Sequence, residues 1–148
     1  MLWQNGDTLM IKLLIVKKGS GKTKTLIEFV NNALDTSKGS VVCIEKGDKL
    51  KFDIKYTARL IDTEEFAVTD AQSLYGFIAG ILASNHDVTD LFIDSALKIC
   101  QNDSDSFDCF LTKLTALLEG KEINCVITSS IDPAEASETV LKLLKYVS

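Results

Sequence analysis

Apolar positions along the chain fall into two kinds of block. Met10 to Val16 (MIKLLIV), Ser40 to Ile44 (SVVCI), Val88 to Asp94 (VTDLFID) and Ile123 to Ile127 (INCVI) are short and mostly apolar. Runs of this kind suit strands covered on both faces. Between them lie longer segments whose apolar residues recur every three or four positions. Thr25 to Leu34 places Leu26, Ile27, Phe29, Val30 and Leu34 at helical spacing. After Asp70, a capping residue, come Leu74, Phe77, Ile78, Ile81 and Leu82 on one broad face. Phe107 to Leu118 repeats the pattern with Phe110, Leu111, Leu114 and Leu118. Pro133 to Tyr146 has Pro near its start and Val140, Leu141, Leu143 and Leu144 in its body, which suits a terminal helix.

Strands alternating with helices of this length imply crossover connections and a parallel sheet with helices on both faces. The expected architecture is a three-layer α/β/α domain with a mostly parallel central sheet, occupying residues 1–148 as one unit. Asp35 to Gly39 (DTSKG) reads as a turn, and Asn102 to Ser106 (NDSDS) as a short polar loop. Glu45 to Phe66 is the least regular part. GDKLKFD suits a short helix or a hairpin arm, and Ala58 to Asp62 (ARLID) a brief strand closing on an acidic residue.

Composition narrows the function classes. Sixteen basic residues against 21 acidic give a net charge of -5, so the global field does not favour nucleic acid or an anionic membrane. Trp3, Phe66 and Tyr75 do not alternate with basic residues, and no strong nucleic-acid signal results. Arg59 is the only Arg, so an enzyme needing several guanidinium clamps on a phosphoryl group would have to borrow them. Cys43, Cys100, Cys109 and Cys125 are widely spaced, without metal-site spacing, as free thiols in a reducing compartment would be. No leader pattern and no apolar run long enough to span a bilayer is found, so a cytoplasmic location is expected.

The residues carrying chemistry lie at the end of the first strand. Gly19, Ser20, Gly21, Lys22 and Thr23 join a strand to a helix. A glycine turn there can aim backbone N–H groups at phosphate, and the helix start adds the positive end of its dipole. The Lys22 ammonium can reach the outer phosphates, and the Thr23 hydroxyl can ligate magnesium. The pattern G-x-x-x-x-G-K-[ST] would put a Gly at position 16, where this chain has Val16. Asp94, at the end of LFID, offers a carboxylate for the same metal; its plainer role would be to cap a helix starting at Ser95.

VKKGSGKT together with LFID resembles the Walker A and Walker B motifs of P-loop NTPases. Over nearly the whole chain the layout is similar to the compact RecA-like and partition-ATPase-like members. The runs RLIDTEEF, YGFIAGILASN and LFIDSALKI also resemble small bacterial ATP-binding proteins, some labelled twitching-motility ATPases, a likeness that supplies no activity. The resemblance implies a P-loop fold that binds a purine nucleotide, ATP ahead of GTP, with Mg2+. It implies that Lys18 to Lys24 (Lys18, Gly19, Ser20, Gly21, Lys22, Thr23 and Lys24) surround the phosphates, with Lys22 on the beta and gamma groups. Thr23 and Asp94 would hold the metal. Lys17 stands where the partition branch has a Lys that acts across a homodimer, while Lys18 replaces a usual Gly.

Hydrolysis also needs a residue that orients water. Glu45 after the second strand, Asp62 after ARLI, and Ser129 or Ser130 after the last inner strand are the candidates beside Lys22 and Asp94. Three functions fit: a slow ATPase or ATP-responsive switch with a homodimer or protein partner, a noncatalytic nucleotide-responsive module, and a small-molecule kinase. The last is disfavoured by the missing Arg-rich lid.

Overall fold

The computed structural model describes residues 11–16 and 22–147. In chain order these form β1 (Ile11–Val16), α1 (Lys22–Thr36), β2 (Ser40–Glu45), β3 (Arg59–Asp62), α2 (Ala71–Ser84), β4 (Val88–Ile93), α3 (Ala96–Ile99), α4 (Ser104–Leu118), β5 (Asn124–Ser130), α5 (Glu138–Leu143) and β6 (Leu144–Val147). Single 3-10 turns at Thr63–Phe66 and Pro133–Glu135 complete the described elements. The strands pair in the order β3-β2-β4-β5-β1-β6, and every pairing is parallel. The three-layer α/β/α architecture expected from the hydrophobic pattern is therefore present.

Alternation along the strands divides the core in two. Ile11, Leu13, Ile15, Val42, Ile44, Leu91, Ile93, Cys125 and Ile127 face α2, α3, α4 and α5. Leu14, Val41, Cys43, Phe92 and Val126 face the opposite way, onto Leu26, Val30 and Ala33 of α1 and onto Leu50, Ile54 and Ala58. The strands are consequently apolar on both sides, as their sequence requires. All four cysteines are free, and burial pushes the Cys43, Cys100 and Cys125 thiols up, Cys100 to about 12.

Three segments differ from expectation. The terminal helix runs only from Glu138 to Leu143, Pro133–Glu135 forms a separate 3-10 turn before it, and Leu144–Val147 continues as β6 beside β1. Pairing satisfies backbone groups that an uncovered β1 edge would leave open, and this outweighs helical spacing in a short apolar run. NDSDS is a helix start rather than a loop: the Asp103 carboxylate accepts the Asp105 N–H and the Ser106 hydroxyl. Those bonds hold the Asp103 carboxyl below its ordinary value. Between β2 and β3 the chain forms turns rather than a hairpin arm or a regular helix, with Leu50, Ile54 and Ala58 as its buried anchors.

The remaining boundaries fall close to the pattern. Asp70 caps α2 through a reciprocal bond with Ser73, and Leu74, Ile78 and Leu82 are the buried stripe. Asp90 is buried, and its carboxylate accepts the hydroxyls of Ser37 and Thr89. The turn between α1 and β2 folds over the amino end of β4 and removes that carboxylate from water. Among the described residues no helix is long and apolar enough to cross a membrane.

Candidate functional site at the carboxyl edge of the sheet

Connections leave the sheet in opposite directions at two places. β1 continues into α1 on one face, while its neighbour β5 continues toward α5 on the other. β2 leads into the turns of 46–58 on the α1 face, whereas adjacent β4 leads into α3 and α4 on the opposite face. Crevices outside the carboxyl ends of strands at such reversals are where open α/β sheets take ligands.

A cavity of about 310 Å³ lies at this edge, lined by Thr23, Lys49, Asp94, Ser95, Leu97, Lys98, Asn102 and Ser130. Thr23 comes from the first turn of α1, Asp94 from the residue after β4, and Ser130 from the end of β5. Three residues singled out in the sequence for phosphate or metal chemistry thus share one cavity. Lys17 to Gly21 lie outside the described residues, as does the side chain of Lys22, whose backbone opens α1. Lys24 is exposed on α1 and does not line the cavity.

Asp94 is only 8 % exposed and held from several sides. Its N–H donates to the Ile44 carbonyl at 2.8 Å, extending the β4 ladder. Thr128 Oγ1 donates to Asp94 Oδ1 at 2.8 Å, and the Ser95 hydroxyl donates to Oδ2 at 3.4 Å. Thr128 Oγ1 also accepts the Ser95 N–H at 2.8 Å, and Ser129 Oγ accepts the Leu97 N–H at 3.3 Å. Hydroxyls on β5 therefore cap the start of α3. Asp94 does not take that part, since its carboxylate accepts hydroxyls there.

Backbone strain collects at the same place. Ser95 and Asn102, which both line the cavity, adopt left-handed φ values of 55° and 57°. Non-glycine residues held in this conformation are over-determined by their surroundings, and they concentrate at functional sites.

The two other acidic candidates have structural work. Glu45, 1 % exposed, accepts the N–H groups of Lys49 at 3.1 Å and Leu50 at 3.2 Å. Burial raises its carboxyl above the ordinary 4.5; the two N–H bonds act against this, and the charges of Asp94 and Asp62 add to it. Asp62, beside Glu45 in the β2–β3 register, accepts the Gly47 N–H at 2.7 Å and the Glu64 N–H at 2.9 Å. Both carboxylates hold loops at the edge, and neither lines the cavity.

The chain matches no protein-family model and no curated protein sequence.

Lys49 and Lys98 bring two ammonium groups to the cavity that were not foreseen from sequence. Lys98 stands four residues beyond Asp94, a spacing that one helical turn folds back toward the start of α3. Lys49 arrives because the Glu45 carboxylate pins the turn that carries it. A larger depression of about 720 Å³ takes in Ser40, Arg59, Phe66, Phe77 and Asn85. Arg59, at the start of β3, therefore lines a different concavity from Thr23 and Asp94. Among the described residues no cluster of three or more His, Cys, Asp or Glu is placed to hold a metal.

Proposed function

We propose that this protein binds a purine nucleotide, ATP, through its phosphates at the carboxyl edge of the sheet, as a member of the P-loop NTPase superfamily. The observation that carries the reading is the shared cavity of Thr23, Asp94 and Ser130, adjoining the end of the strand after which GSGKT begins. Lys49 and Lys98 add positive charge for the phosphates at the same rim.

The donor set fits magnesium in kind. A Thr hydroxyl and a carboxylate are hard oxygen ligands, and Mg2+ takes one or two such protein ligands together with phosphate oxygens and water. Thr23 and Asp94 would hold the ion, and the Thr128 hydroxyl would orient the Asp94 carboxylate from behind. The metal would supply charge neutralisation on the phosphate oxygens. Lys22 would bind the outer phosphates as a point charge.

The protein acts in this reading as a nucleotide-responsive switch with slow hydrolysis. Glu45 and Asp62 are occupied in holding backbone N–H groups, and Arg59 lines another concavity. A water-orienting base and a guanidinium would then come from a partner or a second copy, if turnover is to be fast.

Titration calorimetry of the protein with Mg-ATP, beside Lys22→Ala, tests the cradle. A roughly 10- to 100-fold loss of affinity in the variant is expected for removal of a charge-assisted phosphate contact. Equal affinity in the two folded proteins would remove Lys22 and its loop from the account.

A further inference from the structure

The segment between β2 and β3 carries a surface that nucleotide binding does not use. Residues 46–56 include Lys46, Lys51 and Lys55, besides Lys49 at the cavity, against Asp48 and Asp53, in a chain where acidic residues outnumber basic ones 21 to 16. All four lysines are exposed. Between them stand Phe52, 88 % exposed, and Tyr56, 95 % exposed. Among the described residues these are the two most exposed large apolar side chains.

These rings are not loose core residues. Leu50, Ile54 and Ala58 of the same segment are the ones buried against the α1 face. The segment is clasped to the body at several points. Glu45 accepts the Lys49 and Leu50 N–H groups. Asn31 on α1 donates to the Asp53 carbonyl at 3.0 Å and accepts the Lys55 N–H at 3.2 Å. A fixed backbone presenting two aromatic faces and several ammonium groups pays little ordering entropy when it binds.

The chemistry selects the partner. Phe52 already has the Lys51 ammonium 5.1 Å from its ring centroid, so ring and charge are presented together. Lys51 pairs with Asp48 at 3.3 Å and Lys55 with Asp35 at 2.9 Å, both on the surface, where such pairs contribute little and exchange readily for phosphate. A bilayer surface would call for a continuous apolar face, but Lys51, Asp53, Lys55 and Thr57 flank the two rings. Unpaired bases offer flat faces for Phe and Tyr, and their backbone offers the anionic charge that lysines track.

We propose that Phe52 and Tyr56, with Lys46, Lys51 and Lys55, form a binding surface for single-stranded nucleic acid. The rings stack on bases and the ammonium groups follow the phosphates. This surface stands on its own observations and does not require the nucleotide cradle.

The test is fluorescence anisotropy of a labelled oligothymidylate with the full chain, without ATP, so that a failed cradle leaves the result intact. Wild type is compared with the Phe52→Ala/Tyr56→Ala double variant and with Lys51→Glu/Lys55→Glu. Because the substituted side chains are exposed, far-UV circular dichroism should show unchanged folds. The expected result is wild-type binding that weakens with added salt and drops about tenfold or more in each double variant. Binding retained by the ring variant overturns the proposal, and so does absence of binding by folded wild type. Capture of anionic phosphatidylserine vesicles in place of the oligonucleotide overturns it as well.

Discussion

Thr128 and Asp94, 34 residues apart in sequence, meet through a 2.8 Å hydrogen bond in which the Thr hydroxyl donates to the carboxylate. The same hydroxyl oxygen accepts the Ser95 N–H, so one small side chain on β5 satisfies both the acid and the first peptide beyond it. The hydroxyl is fully buried and Asp94 nearly so. Thr128→Val keeps the shape but leaves a buried carboxylate and a backbone N–H without this partner. A loss of about 1–3 kcal/mol in denaturant unfolding is expected, with Thr128→Ser close to wild type. Equal stability of the Val variant would show that water replaces the hydroxyl.

Glu45 gives the pH dependence a definite sign. Its folded carboxyl lies above the ordinary 4.5, so the native state holds this proton more tightly than the unfolded chain. Its contribution is therefore fully present below about that value and is lost as pH rises through the folded one. Asp70 and Asp103 act oppositely. Their lowered carboxyls contribute above the ordinary 3.8, and that contribution disappears as pH falls through the folded values. Comparing melting temperatures of wild type and Glu45→Gln isolates the first effect. Wild type should lose stability relative to the variant as pH is raised from acid toward neutral; parallel profiles would mean that Glu45 is fully solvated.

Gly39 lies where the turn after α1 passes the start of β4. A Cβ there would stand 2.2 Å from the Asp87 carbonyl oxygen and 2.4 Å from Thr89 Cγ2. The Ser40 N–H bonds that same carbonyl at 2.7 Å, so the backbone cannot retreat without breaking the first link between β2 and β4. Gly39→Ala should therefore destabilise by about 1–3 kcal/mol. Thermal unfolding reads the effect, and an unchanged midpoint would imply that the turn relaxes freely.

Much of this molecule could be read before folding. Asp94 was recognisable because the apolar run LFI ends on it, and strand ends in parallel sheets share an edge. Thr23 was recognisable from its place after GSGK. The partners that hold Asp94 were not, because Thr128 reaches it through strand register, which no local pattern encodes. Lys49 and Lys98 were hidden for the same reason. Glu45 and Asp62 read as free acids leaving strands, although Glu45 binds the N–H groups of Lys49 and Leu50 and Asp62 binds those of Glu64 nearby and of Gly47 on the preceding loop. Phe52 was hidden inside GDKLKFD, read as a short helix or a hairpin arm, and Tyr56 in the residues between it and ARLID, which were given no element. Only the turns between β2 and β3 show that Leu50 and Ile54 face inward while both rings remain outside.

The central claim is that Thr23 and Asp94 serve one magnesium-bound nucleotide. Titration calorimetry with ATP, in magnesium and in EDTA, compares wild type with Asp94→Asn. Asn keeps the size of the side chain and an oxygen for the Thr128 hydroxyl but removes the charge. Wild type should bind ATP more tightly with magnesium than without, by about tenfold or more, and the variant should lose most of that difference while keeping its affinity in EDTA. An identical magnesium response in the two proteins, or no ATP binding by the folded wild type, would contradict the account.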